Sequence, residues 1–346
     1  MYWAASYSFL IHHNPYVRSD KQFHTFQQQI PKIFSLKTSL DFVMAPIKKF
    51  LLFFTLLSFG GHYLSAQMVM STSSYLKATG ATDRTVFYNV ADSGIHRNML
   101  WGLDTSWLDA NNIKRGLSFM GSKNIDIIRL CFQPSWPLVN EDLQQPQIDT
   151  LNLRLNMANL VGKNVKVRLF DDTQDGKRVN AWYAGNATRW AQLIEATTRR
   201  VQESGHPVVS VAPFNEPDYT YWNQGSITDF KNINAKLRTL SRFDTIRICG
   251  ANTLDDGQAL TMYNTLKTNL DEGNTHQLAG SFDNFVNFYQ QVKTDGKYAT
   301  GDELHNVVEP MVGLEYGMQE GIWWETAERT RSEFVKASKG VRLAYA

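Results

Sequence analysis

From residue 98 onward, short apolar runs alternate with longer stretches whose apolar positions recur every three or four residues. The short runs read as strands buried on both faces, the longer ones as helices with one apolar stripe. Strands are predicted over 98–104, 125–132, 165–170, 208–212, 245–251, 276–280, 297–300 and 321–324. Helices are predicted over 113–120, 149–161, 187–203, 229–240, 259–270 and 282–293, from Asn306 onward, and over 328–338. Asn306 suits a helix cap, with Glu309 three residues on as in a capping box. Alternation of this kind calls for a parallel sheet with helical crossovers. The eight strand–helix units predict an α/β fold, a closed (β/α)8 TIM barrel over 99–346, a fold that takes ~250 residues. An open doubly wound sheet is the alternative. Against it, the first strand is followed by no Gly-rich phosphate turn.

The residues before the barrel follow another logic. Met44 to Lys49 is short and basic, Phe50 to Phe59 is apolar apart from Thr55 and Ser58, and Leu64, Ser65 and Ala66 are small or apolar. That order reads as a secretory signal peptide over 44–66, cleaved before Gln67. Its apolar run is shorter than the ~20 residues a bilayer span needs, so no membrane span is expected after cleavage. Residues 1–43 lack periodicity and read as a non-native upstream segment, with translation starting at Met44. Residues 67–98 are polar and read as an extended N-terminal lead-in. The first 66 residues carry six of the 35 Lys/Arg and two of the 33 Asp/Glu. The remainder is therefore close to neutral, which removes the electrostatic case for nucleic acid. Cys131 and Cys249 are the only cysteines. Both fall in predicted strands and read as buried free thiols rather than a disulfide framework.

The fourth strand carries the first chemical signal. Its apolar run, Val208 to Ala212, breaks into Pro213, Asn215, Glu216, Pro217 and Asp218. Proline and Asx residues do not continue a central strand. A carboxylate thus stands where a buried strand becomes a loop, the position at which barrels mount catalytic groups. A surface turn of the same spelling is the plainer alternative.

Asn215, Glu216 and Pro217 after an apolar strand resemble the fourth strand of the clan A glycoside hydrolases. The resemblance runs from about Trp101 to Trp324 and assigns no single family. It implies that Glu216 is the general acid/base and that Asn215 binds the sugar 2-hydroxyl. It places the nucleophile at the end of strand 7, where Glu303 falls. Glu309, Glu315 and Glu320 compete for that role, but Glu309 starts a helix, Glu315 lies within it, and Glu320 precedes strand 8 at its far end. The Gly301 to His305 context of Glu303 departs from the usual Thr-Glu ending. Arg129 on strand 2 is buried and must pair; it either keeps the nucleophile ionised or forms a structural ion pair with Asp126 or Asp172. Asp172, at the end of strand 3, is also a candidate substrate contact. Trp323 and Trp324 end strand 8, where clan A barrels place a Trp under the reactive sugar. Adjacent strand residues point opposite ways, so at most one is a platform. Trp222, with Tyr221 and Trp136, lies on loops that could form outer subsites or simply pack. His276 and His305 share a face and could bond sugar hydroxyls or the carboxylates. A metal barrel would need a His-x-His on strand 1, where the chain reads Gly102, Leu103, Asp104 and Thr105, so no metal and no cofactor are expected.

These expectations add up to a secreted or periplasmic retaining glycosidase, acting on a polysaccharide or oligosaccharide by double displacement, as a monomer. The two carboxyl groups should then stand ~5–5.5 Å apart. The alternative is a glycan-binding barrel without turnover.

Overall fold

The computed structural model describes residues 99–105, 109–171, 179–325 and 329–339. The upstream segment, the expected signal peptide, the lead-in and Asp172 lie outside these. Eight strands are described: β1 (Leu100–Asp104), β2 (Ile127–Phe132), β3 (Lys166–Asp171), β4 (Val208–Ala212), β5 (Arg247–Asp255), β6 (Glu272–Ala279), β7 (Tyr298–Leu304) and β8 (Glu320–Trp323). Each is followed by a helix: α1 (Ala110–Met120), α2 (Gln145–Val161), α3 (Ala187–Glu203), α4 (Ile227–Leu237), α5 (Asp256–Leu266), α6 (Phe282–Thr294), α7 (Val308–Tyr316) and α8 (Arg329–Ser338). The strands pair in sequence order, all parallel, and β8 closes onto β1. The fold is a (β/α)8 TIM barrel.

Local chemistry sets the helix starts. Asn186 accepts from Arg189 N to open α3, and Ser226 and Asp229 exchange hydrogen bonds in a capping box at α4. Such caps satisfy amide donors that have no partner inside the helix. The main core lies between strands and helices. Trp190, Leu193, Ile194 and Val201 of α3 and Phe285, Phe288 and Val292 of α6 are buried there. A second, small cluster of Cys131, Phe170, Ala212 and Cys249 is also buried. Both cysteines are buried thiols, and burial pushes Cys249 up to about 11.

Three strands run further than their apolar runs. β5 continues to Asp255, β6 starts at Glu272 rather than His276, and β7 continues to Leu304. The added residues include Asn252, Glu272, Asn274, Asp302 and Glu303, all buried. Barrel interiors are usually filled by branched aliphatic residues. Here the filling is polar, so apolar alternation underestimates the strands. At the bottom of the barrel, buried Arg168 lies 3.2 Å from Glu320 and 3.4 Å from Asp302, and also contacts Glu272. Among the described residues no helix is long and apolar enough to cross a membrane.

Candidate active site

β4 delivers the first carboxylate. Beyond Ala212 the chain turns so sharply that Glu216 takes a φ of 52°, a left-handed conformation that costs an L-residue roughly 1–2 kcal/mol. Neighbouring bonds hold it there. Glu216 N donates to Asn252 O at 2.8 Å, and Asn215 N donates to the Gln224 side chain at 2.8 Å. The Asp218 carboxylate accepts from the backbone amides of Leu254 and Asp255 at 2.8 and 2.9 Å.

β7 delivers the second. Gly301 pairs with Gly321 and Leu304 with Trp323, so Asp302 and Glu303 together face Ile322 alone. This two-against-one bulge breaks the usual in–out alternation. Both adjacent carboxylates consequently reach the same guanidinium, that of Arg129. Its Nε lies 3.3 Å from Asp302, and its Nη1 lies 3.1 Å from Glu303 and 2.9 Å from Asp104. Nη2 donates to Asn215 Oδ1 at 2.7 Å, and the guanidinium stacks 3.5 Å above the Phe170 ring. Asp126 instead pairs with Lys339, which rules it out as the partner that pattern reading offered Arg129.

Glu216 and Glu303 face each other with His276 between them. One oxygen from each carboxylate and one His276 nitrogen all lie within 4.8 Å of one another. His276 Nδ1 is 3.0 Å from Glu216 Oε1 and 3.7 Å from Glu303, and its Nε2 is 3.1 Å from Asp302. His305 Nε2 lies 3.6 Å from the other Glu303 oxygen. Trp222 Nε1 donates to Glu216 Oε2 at 3.3 Å.

The two carboxylates sit in unequal fields. Burial would raise the pKa of Glu303, but His276, His305 and Arg129 outweigh it and draw it down to about 2. Burial likewise opposes charge on His276, yet Glu303, Asp302 and Glu216 hold its proton well above the ordinary imidazole value. Asp302 stays ionised far below the carboxylate range: burial opposes this, and Arg129, His276 and Arg168 overcome it. Three donors so placed could bracket a cation. That space already receives positive charge from Arg129, and both His276 nitrogens face carboxylates.

Asn215 adds a separate signal. Its Oδ1 accepts from Arg129 and from Asn252 at 3.1 Å. Its Nδ2 is buried with no hydrogen-bond partner among the described residues. A buried donor without a partner in a network this dense is available to a group that enters the site.

The tryptophans of β8 part company. Trp323 is fully buried and stacks on Trp101 at 5.7 Å, with Phe334 edge-on. It belongs to the core, which corrects its place among the candidate contacts. Trp324, next along the chain, is half-buried, and its amide donates to Leu304 at 3.0 Å. Glu309 bonds His305 N and Asn306 at the start of α7, and Glu320 lies with Arg168. Neither stands beside Glu216. Asp104, Asn252 and Asp302 escaped the sequence reading. Asp104 could have been found as an acid ending a strand, and Asp302 as the neighbour of Glu303. Asn252 sits past the apolar run and left no signal.

No protein-family profile matches the chain, and no curated protein does. Solved structures do. A GH30 endoxylanase from Clostridium papyrosolvens C71 aligns with a TM-score of 0.51 at 16% identity, over 70% of each chain. An endo-β-1,6-glucanase aligns at 0.50 and 12% identity, over 75% of this chain and 81% of its own. At these identities the likeness is one of fold.

Proposed function

We propose that the chain is a retaining glycoside hydrolase of the clan A type, acting on a polysaccharide or oligosaccharide. The observation that carries this reading is the approach of Glu216 and Glu303 to within 4.8 Å, oxygen to oxygen, at the strand ends. So short an approach favours the ~5–5.5 Å separation of a retaining pair over the ~6.5–9.5 Å that leaves room for water in an inverting one. Both barrels named above are endoglycanases by description, but the site is what supports carrying that chemistry to this chain.

In this reading Glu303, ionised by its cationic neighbours, attacks the anomeric carbon. The leaving oxygen takes its proton from Glu216, in hydrogen-bond contact with His276. Having given its proton to the leaving oxygen as Glu303 is esterified, Glu216 is then the base that takes a proton from the attacking water, and the ester bond to Glu303 breaks as the carboxylate leaves. The free Nδ2 of Asn215 donates to the sugar 2-hydroxyl, and Trp324 offers a ring face to the sugar. Export belongs to the same proposal: a mature N-terminus near Gln67 supports it, and an exported product beginning before Met44 removes it.

The test needs an aryl glycoside with a good leaving group, found by screening. Glu216→Ala should retain the first step, accumulate intermediate, and recover turnover with azide at retained configuration. Glu303→Ala should lose about 10²–10⁴-fold or more, as a catalytic group does, with no rescue by the leaving group. If both variants keep near-normal turnover, the hydrolase reading fails and a glycan-binding barrel takes its place.

A further inference from the structure

Three aromatic side chains crowd the loop that follows Glu216. Tyr219 and Tyr221 are 45% and 66% exposed, and Trp222 is half-buried. Their rings pack together, with centroids 5.3 Å apart for Tyr219 and Trp222, 5.6 Å for Tyr221 and Trp222, and 6.0 Å for the two tyrosines. The exposed faces are held by a rigid frame. Tyr219 N donates to Glu216 O, Trp222 N donates to Tyr219 O, and Asp218 ties the loop to β5. Fixed aromatic rings left in water add little to folding and offer much to a ligand with an apolar face.

Position says which ligand. Trp222 Nε1 donates to Glu216 Oε2, so the cluster is continuous with the carboxylate that protonates the departing oxygen. Whatever leaves must pass on that side. Arg129, Asn215 and Glu303, which would hold the attacked sugar, converge from β2, β4 and β7. We infer that Tyr219, Tyr221 and Trp222 form a binding site for the leaving-group sugar, stacking against its C–H face. This rests on the proposed hydrolase reading and adds that the enzyme recognises at least one sugar unit on each side of the cleaved bond. The same site would hold an acceptor sugar in place of water during the second step. The bond from Glu303 to the anomeric carbon would then break as an acceptor hydroxyl, deprotonated by Glu216, forms the new glycosidic bond.

The experiment compares Tyr219→Ala/Tyr221→Ala with wild type on xylan, mannan and β-glucan oligosaccharides and on a glycosyl fluoride, whose one-atom leaving group cannot touch the rings. The expected result is a loss of about tenfold or more in kcat/KM on the oligosaccharide cleaved, the equivalent of ~1.4 kcal/mol, with the glycosyl fluoride within about twofold. Transfer to an added acceptor oligosaccharide should fall in parallel, and Tyr219→Phe/Tyr221→Phe should restore both. Equal loss on both substrates, or none on the oligosaccharide, overturns the inference while leaving the hydrolase reading intact. If wild type cleaves nothing, the hydrolase reading has failed, and tryptophan-fluorescence titration with the same oligosaccharides decides the site. Binding lost in the alanine variant upholds a sugar platform, and binding that is absent or unchanged overturns it. A shift in sedimentation on mutating the tyrosines, with sugar preference unmoved, would assign the patch to a second copy of the chain and also overturns it.

Discussion

At the scale of single residues, His276 carries the most consequence. It stands between Glu216 at 3.0 Å and Asp302 at 3.1 Å, fully buried, with its proton held well above the ordinary imidazole range. Because that value is raised, the stability His276 contributes is present in full below the ordinary value and is lost as pH rises through the raised one. Activity should follow the same proton. His276→Gln should move the alkaline limb of kcat/KM to lower pH and lower turnover of poor leaving groups by about tenfold or more. Good leaving groups, which need little protonation, should be nearly spared. A pH–rate series on both substrate types reads this, and an unshifted alkaline limb would show that His276 only fills space.

Among elements, the start of α7 and the bulge in β7 are the instructive ones. Glu309 is buried where α7 begins, accepting from His305 N at 2.8 Å and from Asn306 Nδ2 at 2.6 Å. Burial outweighs His305 and lifts it from 4.5 to about 7. A carboxylate raised on folding makes the native state bind the extra proton, so stability falls as pH climbs from 4.5 to about 7. Glu309→Gln removes the titration and should flatten the decline of Tm across that window, measured by thermal melts at a series of pH values. An unchanged slope would mean that the group ionises without hindrance. The same stretch shows what was legible beforehand. Pattern reading found Glu309 as a helix-start residue and Glu303 at the end of a strand, because capping and strand ends have local signatures. It could not find that Asp302 joins Glu303 on one side, since a bulge is set by register against β8 rather than by the residues themselves. Asn252 escaped for a related reason. It lies on an extension of β5 whose side chains face polar neighbours, where apolar alternation has nothing to mark.

For the whole molecule, the alternation of strands and helices was enough to reach the barrel. What it missed was that the barrel is filled by ions. Arg168 is the central one, fully buried among Glu272, Glu320 and Asp302. Arg247, 27% exposed, bridges two of these carboxylates from the rim at 2.8 and 3.4 Å. Arg168→Met would strand buried negative charge and should cost about 3–5 kcal/mol, the usual loss when one partner of a buried pair is removed. Urea unfolding measures it, and a change below ~1 kcal/mol would mean that the carboxylates can protonate or find other partners. Closure of the barrel has its own witness. Trp101 and Trp323 stack with planes 7° apart across the β1–β8 seam, where Leu103 pairs with Trp323. Their strands are the farthest apart along the chain of any that pair, and contacts of such separation are slow to form. The pair is thus an intrinsic optical gauge: near-ultraviolet dichroism from two fixed indoles reports the joining of first strand to last, while the far-ultraviolet signal reports helices that can form before the ring is shut.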